Sequence, residues 1–311
     1  MKKWFNFGYT LVFLLIFSSI CLFYSDDFTR ALSSRPPLFP TNQPFGIEKC
    51  QKWTEQVRDF SLFREKAAEK VTVLMYHRIL EEGEIDPSIH YDKHGQLYDT
   101  IVLKSAFEEQ MQFLHDHDYT TLTVKEFLLF MQGKIEVPRK SVLLTFDDGF
   151  KDNFIEAYPI MKKYQFTAAN FLVTGFVSKR EDKFSSSKHQ YFSLSDVGKS
   201  CDVFDFQSHT YNFHQRNKQG TAYLESKAPD EIRDDLSVSL TNLSGRNRSI
   251  AYPYGAYNQN TIDVVKELGF ELAFTVEYND ARPGMALYEI PRKAVYPDDT
   301  LHDFKEKINF Y

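Results

Sequence analysis

The stretch SVLLTFDDGFKDN (141–153) runs apolar, strand-like residues straight into Asp147, Asp148 and Gly149. Within a strand, neighbouring side chains point to opposite faces, but at the strand's exit a glycine lets the backbone turn. The two carboxylates can then take separate duties around one centre, one binding a metal and the other accepting a proton. SHTYNFH (208–214) places His209 and His214 five residues apart. On a helix that spacing would leave the rings about 140° apart, so this is not the i, i+4 metal pair of a helix. It works if His209 ends a strand and His214 hangs from the loop that follows. Two imidazoles and one carboxylate make three protein ligands, and zinc held by three keeps a fourth position open for water. No CxxC occurs, so a metal site here has to be built of histidine and carboxylate. AYPYGAYN (251–258) offers an aromatic wall and backbone N–H groups suited to sugar binding and oxyanion stabilisation. His77, in LMYHRI (74–79), has a pKa range suited to protonating a leaving amine. Taken singly, each motif also reads blandly, as a solvated Asp-Asp-Gly turn, a satisfied histidine or a proline turn. The remaining histidines, at 90, 94, 115, 117, 189 and 302, are assigned no role.

What joins the four clusters is that each follows an expected strand. Hydrophobic patterning predicts strands over 71–76, 141–146, 166–173, 202–209, 249–255, 271–276 and 288–295. Helices are expected over 105–118, 123–134 with Thr123 as N-cap, 153–164, 230–243, 260–269 with Gly269 as stop, and 301–310. Strands alternating with helices imply a parallel sheet covered outside, and about seven such units give a distorted (β/α) barrel, whose chemistry gathers at the C-terminal strand ends.

The chain of 311 residues is 42% hydrophobic and carries a formal charge of −6, which argues against a nucleic-acid partner, since phosphate neutralisation needs a basic face. Lys2 and Lys3 precede 22 uncharged residues, Trp4 to Ser25, as in a secretory signal or a membrane anchor with its basic end inside. Removing residues 1–25 takes away two positive charges and leaves −8. The expected organisation is a signal or anchor (1–25), a Pro-containing stalk and neck helix (26–70), and one catalytic domain (71–311). Of the three cysteines, Cys21 lies in the apolar segment; Cys50 and Cys201 are expected to be unpaired rather than bridged.

TFDDG, SHTYNFH and AYPYG, in that order, resemble the polysaccharide deacetylase pattern (NodB homology, carbohydrate esterase family 4), over roughly residues 71–311. The early MYH and the exported context are similar to the branch that N-deacetylates poly-β-1,6-N-acetyl-D-glucosamine in Gram-positive biofilm formers. The resemblance implies a NodB-like barrel and a divalent cation, zinc first, with cobalt or nickel fitting the same donors. It makes Asp148, His209 and His214 the metal ligands, Asp147 the general base, His77 the acid, and the Tyr254 backbone N–H an oxyanion donor. Ala251 stands where the family pattern has arginine, no Asp-Trp motif follows, and Arg292 in EIPRKAV is the candidate replacement. The implied enzyme is a monomer at the outer face of the cell membrane or secreted, its partners being the polysaccharide and the membrane. Two other readings remain open: a peptidoglycan or chitin deacetylase, and an anchored carbohydrate-binding protein without turnover.

Overall fold

The computed structural model describes residues 12–13, 16–18, 37–60, 67–245 and 248–310. The chain divides into two compact units, Met1–Leu38 and Phe39–Tyr311. In the first, residues 12–13 and 16–18 are helical and exposed; the rest of the 1–25 segment, where a signal or anchor is expected, lies outside the described residues. Among the described residues no helix is long and apolar enough to cross a membrane.

The second unit is built on a parallel sheet. Its strands are β1 (Thr72–Tyr76), β4 (Thr120–Thr121), β5 (Ser141–Phe146), β6 (Ala168–Leu172), β7 (Phe204–Ser208), β8 (Ser249–Ala251), β9 (Leu272–Phe274) and β10 (Lys293–Ala294). They run in the order β10-β1-β5-β6-β7-β8-β9, with β4 joined to β5. Seven strands on one path match the expected number. Outside them lie α1 (Lys104–Asp116), α2 (Val124–Met131), α3 (Tyr158–Lys163), α4 (Leu194–Ser200), α5 (Pro229–Asn242), α6 (Gln259–Glu267) and α7 (Leu301–Lys307).

The central strands β1, β5 and β6 feed two cores because their side chains alternate. Leu74, Tyr76, Leu144 and Phe146 join the large outer cluster under the helices. Val73, Leu143, Ala169 and Phe171 join Leu272, Phe274 and Ile290 in a second cluster. A buried parallel strand therefore reads as a continuous apolar run rather than an alternating one. The helices begin where local chemistry fixes them: Thr123 and Glu126 form a reciprocal capping box at α2, and Ser193 and Asp196 do so at α4.

Barrel closure departs from the expected strand 288–295. Ile290 bridges Phe274 of β9, whereas three residues later Lys293 pairs with Leu74 of β1. The chain changes partner around Pro291, which has no N–H to give a ladder, so only Lys293–Ala294 is strand. Likewise 249–255 is strand only to Ala251, and Pro253–Gly255 forms a 3-10 turn. The helix expected over 153–164 splits into a π-helical turn, Asn153–Ala157, and α3. A second sheet, β2 (Arg78–Leu80) with β3 (Ile101–Leu103), is too short to be read from the pattern.

The stalk, the neck helix and the cysteines are corrected by the structure. Phe39, Phe45 and Ile47 are buried in the main core, so the compact unit begins at residue 39 rather than 71. The Phe39 N–H donates to the Gly175 carbonyl at 2.8 Å, and the Asn242 side-chain amide donates to the carbonyls of Pro40 and Gln43 at 2.9 Å each. Prolines made this segment look like an extended spacer, but its two phenylalanines and isoleucine have a core to enter. The neck shortens to a 3-10 turn, Cys50–Glu55; residues 61–66 lie outside the described residues. Its Gln51 side chain donates to the Cys201 and Phe204 carbonyls and accepts from the Phe206 N–H, capping the start of β7. Cys50 and Cys201 form a disulfide, their Cα atoms 5.8 Å apart. A separation of 151 residues concealed the pair from sequence spacing.

Candidate metal centre and catalytic cleft

The strand ends converge as the motifs require. Asp148 follows β5 with φ 72°, and Gly149 follows it with φ 71°, so two successive left-handed residues throw the chain out of the barrel. A Cβ on Gly149 would lie 2.5 Å from Leu172 Cδ2, so the close approach of the β5 and β6 ends needs glycine there. His209 directly follows β7, and His214 lies in the loop beyond, as the five-residue spacing demanded. Their Nε2 atoms stand 3.4 and 3.1 Å from Asp148 Oδ1, and one ligand atom from each of the three residues lies within 4.8 Å of the others.

These residues fit a divalent cation. Asp148 Oδ1 is buried without a hydrogen-bond partner, an arrangement that costs free energy unless a cation supplies the missing contact. His209 Nδ1 lies 2.8 Å from the Ala251 carbonyl, which fixes the proton on Nδ1 and leaves the Nε2 lone pair facing the cluster. Burial would raise the Asp148 carboxyl, but the His214 and His209 rings hold it well below the usual carboxylate range. For His214, burial works downward, and Asp148 overcomes it and raises the pKa. Two imidazoles and one carboxylate are the donor set of an open zinc site.

Asp147 points to a different partner. Arg292 Nη1 and Nη2 donate to its Oδ1 and Oδ2 at 2.7 and 2.8 Å, a two-pronged pair. The guanidinium is fully buried, its Nε donates to the Thr275 carbonyl at 2.8 Å, and Nη1 reaches Thr145 Oγ1 at 3.3 Å. Burial pushes the Asp147 carboxyl up, but Arg292 and then His209 outweigh it, and its pKa is lowered. The candidate replacement for the arginine missing at Ala251 thus sits on the carboxylate it was expected to orient, reaching it from the closure segment rather than from β8.

His77 Nε2 lies 3.9 Å from Asp147 Oδ2, beyond hydrogen-bond range but inside the same cleft. Burial lowers its pKa, with Asp147 and Asp148 opposing. Its carbonyl accepts from the Asn153 side chain at 2.7 Å, and Asp152 next door takes the Ile79 N–H at 3.1 Å and Arg78 Nε at 2.9 Å. Tyr254 adopts φ 61° in the turn after β8; its ring packs 4.4 Å from that of His214, with the Arg216 guanidinium 4.1 Å from its centroid. All seven expected site residues therefore share one end of the barrel.

Sequence reading missed the supports. Asp152 and Asn153 stand in DDGFKDN, yet nothing in that string says they pin the His77 carbonyl and the two residues that follow it. Arg78, next to His77, is buried, and nothing in LMYHRI signals it. Phe150 stacks on Tyr191 at 5.2 Å, and Tyr191 packs 4.8 Å from Phe176, an aromatic wall drawn from three loops with no common spacing.

The chain is similar to known proteins in sequence and in fold. A family model described as polysaccharide deacetylase matches residues 134–273. A poly-beta-1,6-N-acetyl-D-glucosamine N-deacetylase of Staphylococcus aureus (strain MSSA476) is 31% identical over 247 residues, covering 76% of this chain and 83% of that protein. Its namesake from Staphylococcus epidermidis is 29% identical over 232 residues, covering 72% and 78%. Among solved structures, the Streptococcus pyogenes deacetylase PplD, in complex with acetate, superposes with a TM-score of 0.64 at 26% identity, covering 77% of this chain and 98% of that one. IcaB from Ammonifex degensii shares the fold at a TM-score of 0.62 and 24% identity, covering 78% and 97%.

Proposed function

The chain belongs to the polysaccharide deacetylase family, and from that membership we propose that it hydrolyses the acetamide groups of poly-β-1,6-N-acetyl-D-glucosamine, releasing acetate and leaving free amines. The observation that carries the reading is the pairing of two centres on adjacent residues: Asp148 with His209 and His214, and Asp147 with Arg292.

A divalent cation held by Asp148, His209 and His214, with zinc the first choice and cobalt or nickel compatible, would polarise the substrate carbonyl and acidify a water at the open position. Asp147, kept anionic by Arg292, accepts the proton of the attacking water. Arg292 holds both carboxylate oxygens in one plane, so the base meets the water in a fixed orientation. The Tyr254 N–H, presented by a left-handed turn, stabilises the negative charge that develops on the carbonyl oxygen. His77 delivers a proton to the departing glucosamine nitrogen. Its lowered pKa makes the imidazolium a ready donor, and Asp147 beside it favours the charged form.

The experiment is acetate release from a β-1,6-linked N-acetylglucosamine oligomer, measured with chelator and after adding back zinc. Turnover that vanishes with chelator and returns with metal supports the reading; turnover indifferent to both overturns its metal dependence. A β-1,4-linked oligomer run in parallel tests the peptidoglycan or chitin alternative, which requires faster turnover on that linkage. The binding-only alternative predicts unchanged polymer acetylation when Asp147 is replaced by Asn, and a fall in free-amine content in that variant removes it; the Arg292–Asp147 pair supports the catalytic reading. We further place the enzyme as a monomer at the outer face of a Gram-positive cell membrane, tethered through the Trp4–Ser25 segment, where its product amines would promote biofilm adhesion. Membrane fractionation of the full chain and of a variant starting at residue 26 tests the tether.

A further inference from the structure

The loop between the two metal-site histidines is held from outside by groups that touch neither the cluster nor the cleft. Asp235, on α5, is buried, and its Oδ1 and Oδ2 accept the N–H groups of Tyr211 and Asn212 at 2.8 Å each. The phenol of Tyr211 turns the other way and donates to the Phe39 carbonyl at 2.7 Å. Phe39 is itself locked in place, since its N–H donates to the Gly175 carbonyl and the Gly175 N–H donates to the Tyr211 carbonyl at 2.9 Å. The loop also contains Thr210 at φ 75°, a conformation a β-branched residue adopts only when its surroundings impose it.

We propose that Asp235 and Tyr211 are positioning residues for the metal site, bracing the His209–His214 loop against α5 on one side and against the amino-terminal strap at Phe39 on the other. Four residues separate the two histidines, and an unbraced loop of that length would spread over many conformations, only a few of which bring both Nε2 atoms to Asp148. A carboxylate accepting consecutive backbone N–H groups fixes the loop's middle. The phenol then ties that middle to a segment more than 170 residues away in sequence, whose backbone is held by Asn242 and whose far end is stapled by the Cys50–Cys201 disulfide. Residues outside the first layer of a metal site that orient its ligands typically govern affinity by about 10- to 100-fold.

This inference rests on Asp148, His209 and His214 forming the metal site, and the test separates the two. Zinc affinity of the full chain is measured by competition with a chromogenic chelator, alongside thermal unfolding of the metal-free protein, for the wild type, Asp148→Asn, Asp235→Asn, Asp235→Glu and Tyr211→Phe. Asp235→Asn keeps the volume but loses one acceptor, and is expected to weaken zinc binding by about 10-fold or more, with Asp235→Glu recovering part of it. Tyr211→Phe removes only the tie to the strap and is expected to weaken it by about 3-fold or more while the metal-free protein stays folded. Zinc affinity within 2-fold of wild type in Tyr211→Phe, and in Asp235→Asn if that variant folds, overturns the bracing role even if melting temperatures fall. Wild-type zinc binding that Asp148→Asn does not reduce overturns the metal site itself.

Discussion

Asp147 and Asp148 are chemically identical neighbours with different environments, and the difference is one backbone turn. Asp147 leaves β5 facing the interior, where Arg292 is waiting; Asp148, at φ 72°, faces the histidines. Replacing Asp148 by Asn should abolish zinc retention and reduce acetate release by at least about 10²-fold, read by metal analysis and turnover on the same preparation. Replacing Arg292 by Lys keeps the charge and loses the planar fork. The expected result is a fall in kcat of about 10-fold or more with little change in KM, because orientation of the base rather than substrate binding is lost. Replacing Arg292 by Ala instead leaves a buried carboxylate unpaired, and destabilisation of about 3–5 kcal/mol should appear in denaturant unfolding. At this scale the sequence was highly informative. Asp148, His209, His214 and Arg292, which meet in the cleft, all stand in short recognisable strings, whereas the contacts of Arg78, Asp152 and Asp235 come only from neighbours far along the chain.

Elements were legible in proportion to how local their causes are. α2 begins at a capping box that four residues define, and β5 coincides with its apolar run. The segment 288–295 was not legible as it stands, because it divides its pairing between β9 and β1, a consequence of closing a barrel that no local pattern records. The strap at residues 39–47 was misread for a similar reason: prolines signal extension but not whether the extended chain lies on a surface. The β5–β6 exit makes a sharp prediction. Gly149→Ala would set a Cβ against Leu172 and force a left-handed backbone on alanine, and a loss of about 1–3 kcal/mol with a matching loss of metal affinity is expected in thermal and chelator titrations.

Across the whole molecule, charge and covalent closure act at the opposite end of the barrel from the chemistry. Asp280 accepts from Lys293 at 2.6 Å and Lys70 at 2.7 Å, joining the closure strand to the start of β1. Burial would raise its carboxyl, but Lys293 and Lys70 prevail and bring it down to about 2. A carboxylate depressed in the folded state contributes stability above its unfolded pKa of about 3.9 and loses it as pH falls through about 2. Asp280→Asn should therefore flatten the dependence of stability on pH between about 4 and 2, measured by denaturant midpoints at each pH. The Cys50–Cys201 bridge ties the turn after the strap to the C-terminal end of α4, and its removal by Cys50→Ser is expected to cost about 2–4 kcal/mol, visible as a lower unfolding midpoint that reductant reproduces in the wild type.

Arg292 sits on the segment that seals the sheet, beside Lys293, which pairs with β1. Of the charged side chains gathered in the cleft it is the last to be synthesised, after both histidines and both aspartates. A polypeptide cut short on the amino side of Arg292 would hold Asp147 without the guanidinium that grips both carboxylate oxygens.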